Sequence, residues 1–490
     1  MRHIAAIGGL AIFTIATVHC SGLSTAGDCT DYDTCQGLNG EGGTGDSGDG
    51  GIEGAVIPPN CDVTKPVKDS PDCVDNGVGI FVAPSGDDTA PGTKEKPVRS
   101  ITKAAELASL STKPRVYICT GTYTDSVDVK SPISFFGGFT CSGGQWTQSG
   151  AGVQWNAVKA EFALRIVGVG QRVAIEDVEI TAKDATAPGE SSIGIFVAET
   201  TELALSRTNV IAGKGSNGET KLKKAARAAA GKGGPAVNPN GGPGTKNTCS
   251  DGDSLGGKGG TAGLADATAG QPALGGGAPG PDSTACGSGG SGGTGADGSE
   301  GDAAPGVTSL GALTREGWKA SGGVVGKPGT RAQGGGGGGA RTGAGGGGGA
   351  GGCGGDGGEP GGGGGASVAI LSFSTKLSIN GGKVRAGAAG NGGGGAGGQP
   401  GQPPGAGGDP GIASPASGCP GGDGGSGGKG GAGGGGAGGV SAAILFKGTQ
   451  PTIAGAELAK GTPGQKGLGG DLVGAADGPE GQAAETLAAP

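Results

Sequence analysis

Few residues of this chain have the types and spacing that catalysis requires. Both histidines, His3 and His19, lie in an N-terminal segment typical of a signal peptide. The mature chain then has none, which excludes Ser-His-Asp and Cys-His nucleophiles and histidine zinc sites. Lyase chemistry, in which a basic side chain removes a proton beside a carboxylate-bound Ca²⁺, remains open. Its candidates are the charged residues Arg165, Arg172, Glu176, Asp177, Glu179 and Arg207.

These charged residues alternate with apolar ones, a pattern that usually marks the solvated face of a strand. We therefore expect no catalytic residues, no metal site and no cofactor, and we expect that the protein is not an enzyme. Three aromatic residues are candidates for carbohydrate contact, because exposed aromatic rings stack on sugars. They are Tyr123, Trp146 and Trp155, half of the Trp and Tyr residues of the chain. Buried packing beneath an N-terminal loop is the alternative.

The eleven cysteines indicate an oxidising compartment. Without Cys20 they number ten, and no two are spaced as CxxC, so a metal site finds no support. Cys119 and Cys141 are about one solenoid turn apart, and turns stack at about 4.8 Å, which suits a disulfide. The other pairs rest on proximity in the sequence alone. The suggested pairs are Cys29 with Cys35, Cys61 with Cys73, Cys119 with Cys141, Cys249 with Cys286, and Cys353 with Cys419.

The N-terminus predicts export and a lipid anchor. Arg2 precedes an apolar run, Ile4–Val18, that is too short to span a bilayer as a helix and is typical of a signal peptide, residues 1–19. The cysteine that follows, Cys20, resembles the acylated cysteine of a bacterial lipobox. Cleavage by an ordinary signal peptidase, near Ala16 or Ala26, is the alternative. The net charge of −8 argues against nucleic acid as a partner.

Four apolar islands of equal length indicate one structural unit used four times. In the last two islands, Ile370, Ile379 and Val384 coincide with Ile444, Ile453 and Leu458, and the second island matches the third with a one-residue slip in its first strand. Repeats of this length with short alternating strands predict turns of a solenoid, because no single turn buries its own apolar face. The islands are Phe162–Ala185, Ser192–Gly215, Ser367–Gly390 and Ser441–Gly464.

The region before the islands resembles a known family. The residues that carry the likeness are Phe81–Asp88 (FVAPSGDD), Pro91–Pro97 (PGTKEKP), Ile101 with Ala104 and Ala105, and Gly121-Thr122-Tyr123. Over residues 79–140 the chain resembles the N-terminal unit of DUF1565-type, pectin-lyase-like proteins, although Thr120 stands where that unit has proline. The resemblance implies a right-handed parallel β-helix and no particular activity. A helix with Ser100 as its N-cap is the right size to cap the open end of such a solenoid.

Long glycine-rich segments separate the later islands. Each begins after the same part of a repeat, so we expect the chain to leave and re-enter the solenoid at one corner, at a closure cost of about 0.6 kcal/mol per doubling of loop length. Two arrangements are open: disordered low-complexity glycine, or a bundle of extended helices with three residues per turn, joined by backbone hydrogen bonds and stapled by cysteines. The likeness to PGRS-type repeats is compositional. The alanine-rich stretch after Lys221 predicts a short helix.

These observations predict an all-β fold, a short right-handed parallel β-helix with an N-terminal capping helix and long glycine-rich insertions. The function that fits is a non-enzymatic outer-membrane lipoprotein of the cell envelope, in adhesion, surface recognition or envelope structure. Its expected partners are the membrane, through the lipid, and a surface polysaccharide or another cell-surface protein. A polysaccharide-binding or polysaccharide-cleaving β-helix is the alternative.

The predicted division of the chain follows from these features. After the signal peptide comes a lipid-anchored flexible linker at 20–57, a cysteine-tied connector at 58–78, and the cap with the first turns at 79–215. Glycine-rich insertions at 216–366 and 391–440 alternate with single turns at 367–390 and 441–464, and a tail follows at 465–490.

Overall fold

Three parallel sheets wind around one apolar core, as a parallel β-helix. The computed structural model describes residues 55–288, 290–471 and 476–490. The predicted signal peptide and the lipidation site Cys20 lie outside these residues. Within the described part, 3-10 turns occupy Val67–Asp69, Pro71–Cys73 and Cys286–Ser288, and the single α-helix, α1, spans Ile101–Leu110.

The strands follow one another in a regular cycle through the sheets. In chain order they are β1 (Gly79–Val82), β2 (Arg115–Cys119), β3 (Gly121–Thr124), β4 (Val127–Val129), β5 (Ser134–Ser142), β6 (Gln145–Ala151), β7 (Val153–Asn156), β8 (Leu164–Val167), β9 (Arg172–Glu176), β10 (Glu179–Thr181), β11 (Ser192–Ala198), β12 (Glu202–Ser206), β13 (Asn209–Ile211), β14 (Lys246–Cys249), β15 (Gly252–Leu255), β16 (Gly311–Thr314), β17 (Gly317–Ala320), β18 (Ser367–Phe373), β19 (Lys376–Asn380), β20 (Lys383–Arg385), β21 (Ser441–Lys447), β22 (Thr452–Ala454), β23 (Glu457–Ala459) and β24 (Ala483–Ala488).

Each turn contributes one strand to each of three sheets. Sheet A has the order β1-β2-β5-β9-β12-β19-β22, with β6 folded back on β5. Sheet B has the order β3-β7-β10-β13-β20-β23, and sheet C has the order β4-β8-β11-β18-β21-β24. The tail predicted at 465–490 therefore contains a strand, β24, which pairs with β21 in sheet C.

Residues that align between islands in the sequence are paired with each other in the sheets. Ile370 pairs with Ile444, and Ile379 pairs with Ile453, as predicted. The one-residue slip is also present, because β11 pairs Ser192 with Ser367 whereas β12 pairs Leu203 with Leu377. Stacking like side chains in successive turns buries a continuous apolar column, and a fully buried Ile or Leu contributes about 1.5–3 kcal/mol.

Helix α1 lies against the first turns of this core. Ser100 is its N-cap, and its hydroxyl oxygen accepts a hydrogen bond from the amide of Lys103. The helix buries Ile101, Ala104 and Ala108 in the same cluster as residues of β1 and β2. A short, alanine-rich face of this kind allows the helix to approach the sheet edges closely.

The glycine-rich insertions all leave the β-helix at one corner. They follow the sheet B strands β13, β20 and β23, and each ends at the next sheet C strand. The ends of every insertion are therefore fixed by neighbouring strands, and the chain resumes the β-helix in register after each excursion.

The insertions are extended segments that hydrogen bond to one another, the second of the two arrangements considered above. Gly345, Gly346 and Gly347 donate their amides to three different segments, at the carbonyls of Gly260, Cys419 and Gly234. The pattern then repeats every third residue, the rhythm of a helix with three residues per turn. We call this assembly, without its two β-hairpins β14–β15 and β16–β17, the glycine bundle: the described residues of 212–366, 386–440 and 460–482.

Close packing explains the glycine content of the bundle. A Cβ atom built on Gly348 or Gly393 would overlap the carbonyl oxygen of Gly335 or Glu219. Only a residue without a side chain leaves these carbonyls free to accept hydrogen bonds from the neighbouring segment. The helix predicted after Lys221 is wrong, because this stretch is an extended segment of the bundle, whose amides at Lys221 and Ala230 donate to Gly394 and Pro403.

Two of the predicted disulfides are present and two are paired differently. Cys61–Cys73 and Cys119–Cys141 form as expected. The pairs Cys249 with Cys286 and Cys353 with Cys419 are wrong. The bundle brings distant segments together, so the disulfides are Cys249–Cys353, across 104 residues, and Cys286–Cys419, across 133 residues.

The fifth predicted disulfide falls in the N-terminal part of the chain. Its members, Cys29 and Cys35, both lie outside the described residues. The pairing of Cys29 with Cys35 therefore stays a prediction, and the four disulfides of the described residues involve neither cysteine.

Candidate functional site

A β-hairpin in the first insertion covers the outer face of sheet C. Leu313 of β16 is buried there with Phe196 and Leu371, and its cross-strand neighbour Trp318 of β17 packs against the same cluster. The tip of the hairpin is held by an ion pair, with Arg315 Nε 3.0 Å from Glu199 Oε2. Glu199 lies at a corner of the β-helix, so the hairpin is fixed to the wall at its tip as well as along its face.

A cleft of about 640 Å³ opens between this hairpin, the wall and the glycine bundle. Sheet C contributes Ile193 and Phe196, and the loop before β8 contributes Phe162. The hairpin contributes Trp318, which is half-buried, and the bundle contributes the backbone of Gly362. A cavity of this size with apolar and aromatic walls is typical of a ligand site. We call it the hairpin cleft.

The charged residues of the hairpin cleft are mostly acidic: Glu161, Glu190, Glu219 and Glu316, with Lys319 as the one base among its lining residues. Glu219 forms an ion pair with Lys221 outside the lining, with Nζ 2.7 Å from Oε1. Among the described residues, Glu161 and Lys319 have no ion pair. The cleft therefore presents unneutralised negative charge.

Two of these carboxylates are oriented by local hydrogen bonds. Glu190 Oε2 accepts the amides of Thr186 and Ala187 at 2.7 and 2.9 Å, which closes the turn before β11. Glu316 Oε2 accepts the hydroxyl of Thr314 at 2.7 Å, and this bond lowers the pKa of Glu316. Glu316 is thus held as an anion at neutral pH, and Glu190 is fixed in position by its turn.

A second charged cluster lies at the corner between sheets A and B. Asp177 and Arg207 occupy equivalent corners of successive turns, with left-handed φ values of 56° and 50°. Arg207 donates from Nε and Nη2 to the two oxygens of Asp177, each at 2.7 Å. Its Nη2 also lies 3.4 Å from Oε2 of Glu176, whose side chain is buried, and this burial raises the pKa of Glu176.

The other residues considered for lyase chemistry lie elsewhere on the wall. Arg172 pairs with Glu202, with Nε 3.9 Å from Oε2. Arg165 pairs with Asp128, and Glu179 accepts a hydrogen bond from Asn209. The structure therefore brings Glu176, Asp177 and Arg207 together and leaves Arg172 outside their cluster.

The aromatic residues proposed for carbohydrate contact pack inside the protein. Trp155 is fully buried, and its Nε1 donates to the carbonyl of Asp125 at 3.1 Å. Tyr123 is also buried, with its hydroxyl donating to the carbonyl of Cys119 at 2.7 Å. These two predictions are wrong, because stacking on sugar needs an exposed ring. Trp146 is half-buried against Phe81, with ring centroids 4.9 Å apart.

Sequence reasoning missed the hairpin cleft and its tryptophan. A signal was present, because GALTREGWKA at 311–320 alternates apolar and polar residues around a short turn, as a hairpin does. Its position inside a glycine-rich insertion hid it. The carboxylates of the cleft come from separate insertions and loops, and only the fold assembles them.

Comparisons with known proteins identify a family for one part of the chain. Residues 84–161 match the family described as "Protein of unknown function (DUF1565)". These residues begin just after β1 and cover α1 and the strands β2 to β7. This confirms the resemblance found in the sequence.

One curated relative is similar over part of its length. It is "Uncharacterized protein YwoF" of Bacillus subtilis (strain 168), 28% identical over 152 residues. The matched region spans 28% of this chain and 29% of that protein. No solved structure matches the chain. Within the described residues, no helix has the length and apolarity to cross a membrane.

Proposed function

We propose that this chain is a non-enzymatic binding protein of the bacterial cell envelope that holds its ligand in the hairpin cleft. The observation that carries the proposal is the cleft itself, a cavity of about 640 Å³ with aromatic walls where the glycine bundle leaves the β-helix. The bundle then serves as a rigid support for the hairpin. Surface recognition or adhesion is the role that this arrangement favours.

The chemistry of the cleft supports binding over catalysis. Residues 20–490 contain no histidine, and the lining has no cysteine that could act as a nucleophile. The lowered pKa of Glu316 makes it a poor proton donor at neutral pH. Glu316 is therefore better suited to attract a cationic group than to transfer a proton.

The envelope location rests on the disulfides and on the N-terminus. Four disulfides in the described part of the chain indicate an extracellular or periplasmic protein. Acylation of Cys20 would anchor it to a membrane. We expect labelled palmitate to be incorporated into the native chain and not into Cys20→Ala, and label in that variant would contradict the anchor.

Binding is tested with the full mature chain carrying Cys20→Ala, which removes the proposed acylation site. This protein is applied to glycan and peptide arrays and to intact cells. Trp318→Ala removes an aromatic wall of the cleft and should abolish binding of the protein to its array ligand and to cells. Val325→Ala, an exposed residue of the bundle that does not line the cleft, is the matched control. Capture that survives Trp318→Ala places the ligand elsewhere and contradicts the proposal.

A polysaccharide lyase is the second candidate, and the corner cluster favours it. Glu176 is a buried carboxylate of raised pKa beside Arg207, and a small cavity of about 230 Å³ adjoins Asp177 and Arg207. Such a pairing is found at catalytic sites and also in structural ion-pair networks. Incubation with uronic acid polysaccharides, followed by ultraviolet absorbance of unsaturated products, tests it. Product formation that is lost in Arg207→Gln would support the lyase over the binding protein.

A further inference from the structure

We propose that the ligand of the hairpin cleft is a basic segment of a partner protein, which places an apolar side chain between the aromatic walls and its Lys or Arg side chains beside the carboxylates. This inference rests on the proposed function and gives its ligand a chemical class. It follows from the charge of the cleft, its apolar surface, and its shortage of groups that hydrogen bond to sugars.

The charge of the cleft selects a cation. Four carboxylates and one ammonium group line it, and one carboxylate, that of Glu219, already has a partner in Lys221. Glu161, Glu190 and Glu316 have no ion pair among the described residues. Beside the Thr314 hydrogen bond, Arg315 and Arg165 also lower the pKa of Glu316, but each of these arginines is paired with another carboxylate, that of Glu199 and that of Asp128. A cationic partner gains attraction at each of these groups, whereas an anionic polymer would be repelled.

The apolar walls select a ligand with hydrocarbon surface. Phe162 and Trp318, both half-buried, offer aromatic rings, and the buried side chains of Phe196 and Ile193 complete the apolar lining. An indole ring also attracts a cation over its face, which favours a Lys or Arg stem laid along it. An apolar residue flanked by basic residues matches both features at once.

The polar lining argues against a neutral or amino sugar. A sugar needs a hydrogen-bonding partner for most of its hydroxyl groups. Apart from the charged residues, the polar groups on the side chains of the cleft are the hydroxyls of Ser191 and Thr314 and the indole N–H of Trp318, which is buried. The Thr314 hydroxyl is already donated to Glu316. A peptide needs fewer hydrogen bonds from the lining than a sugar does, because its apolar side chains contact the apolar walls.

A second cavity indicates a ligand longer than one residue. It lies beside Trp318, has a volume of about 440 Å³, and is lined by Leu310, Leu445 and Leu487. Trp318 therefore separates two apolar hollows along the outer face of sheet C. An extended segment that crosses this indole could fill both.

The test uses the full mature chain with its disulfides and three probes of similar size: an acetylated and amidated peptide of alternating Lys and Phe, the same peptide with Glu for Lys, and a glucosamine oligomer. Binding is followed by tryptophan fluorescence and by calorimetry. Because the chain has two other tryptophans, Trp318→Phe shows which part of the change in tryptophan fluorescence comes from the cleft. Glu161→Gln and Glu316→Gln test the charges, and Glu300→Gln, an exposed residue outside the cleft, is their control.

We expect the Lys-Phe peptide to bind and the Glu-Phe peptide not to bind. Each cleft variant should weaken the Lys-Phe peptide about two- to fivefold, the range for an exposed ion pair, and Glu300→Gln should leave it unchanged. Raised salt should weaken binding of the Lys-Phe peptide to the native cleft more than to a variant that carries both Glu161→Gln and Glu316→Gln. All variants are compared by thermal unfolding, so that a loss of fold is separated from a loss of charge.

Other outcomes separate the inference from the function on which it rests. Stronger binding of the glucosamine oligomer, or equal binding of the Glu-Phe peptide, overturns the basic peptide and leaves a binding cleft. If neither these probes nor any array ligand binds in a manner that depends on Trp318, both the inference and the proposed function are wrong.

Discussion

The amide of Ser367 donates a hydrogen bond to the carbonyl of Val440 at 2.8 Å. The same separation of 73 residues joins Gly346 to Cys419, and the bond recurs at every third residue between them. Ser367 is also the first residue of β18, which continues beside β21 in sheet C. The bundle and the sheet therefore share one register, and two neighbouring segments pass from a three-residue to a two-residue repeat without exchanging partners.

This shared register predicts slow hydrogen exchange in the bundle. Amides at 343–366 that donate to neighbouring segments should exchange far more slowly than a random coil, because exposing one requires several segments to separate. Hydrogen exchange followed by mass spectrometry of peptides from this range measures it. Exchange at the random-coil rate would show that the insertions are disordered glycine, the other arrangement that the sequence allows.

Adjacent glycines provide a matched test of close packing. A Cβ on Gly393 would overlap the carbonyl oxygen of Glu219, whereas the nearest atom to a Cβ on Gly394 is a methyl carbon of Thr220 at 3.4 Å. Gly393→Ala should lower the free energy of unfolding by about 2–3 kcal/mol through overpacking. Gly394→Ala should change it little. Urea unfolding measures both, and equal effects would show that the segment is not packed as described.

The disulfide between the two large insertions should stabilise the bundle strongly. Cys286–Cys419 closes a loop of 133 residues, and the chain-entropy argument for such a loop gives about 3–5 kcal/mol. Replacing both cysteines with serine should lower the free energy of unfolding by that amount. Peptide mapping without reduction checks the connectivity independently. Recovery of a peptide linking Cys249 to Cys286 would contradict the structure.

The buried carboxylate of Glu176 should make stability depend on pH. Burial raises its pKa above the usual 4.5, so the folded state holds this proton more tightly than the unfolded chain does. The stabilisation that protonated Glu176 gives to the folded state is fully present below the pKa of Glu176 in the unfolded chain. It is lost as the pH rises through the pKa of Glu176 in the folded chain. The free energy of unfolding of the native chain, relative to Glu176→Gln, should therefore fall as the pH rises above the usual carboxyl pKa of 4.5.

Chemical unfolding at several pH values measures this difference, at about 1.4 kcal/mol for each unit of pKa shift. Gln148→Ala, which removes a hydrogen-bond partner of Asp177 without removing a carboxyl group, serves as a control for a general change in stability at this corner. A difference that rises with pH would mean that Arg207 stabilises the anion of Glu176 by more than burial destabilises it.

The sequence predicts those parts of the fold that repeat. Ile370 could be aligned with Ile444, and Ile379 with Ile453, because stacked turns require like residues at like positions. Cys119–Cys141 could be predicted because one turn separates its members. Cys249–Cys353 could not, because in a glycine bundle any segment can lie beside any other, and composition does not encode the choice.

Most of the candidate site could not be predicted from the sequence, for a related reason. Tyr123 and Trp155 carry the same residue types as a sugar-binding surface, and only their position in a turn decides that they face the core. Trp318 gains its importance from the wall beneath it, which is formed by strands on both sides of it in the chain, such as β11 with Phe196 and β18 with Leu371. Glu161 and Glu316 share the cleft for the same reason.

The three-residue repeat of the bundle also sets how its length can change in evolution. Gly345, Gly346 and Gly347 face three different neighbours, so an inserted or deleted triplet moves a segment along its axis and keeps every face against the same neighbour. A change of one or two residues rotates all that follows by a third of a turn. Homologous insertions should therefore differ in length by multiples of three, and their cysteines should keep their phase within the triplet.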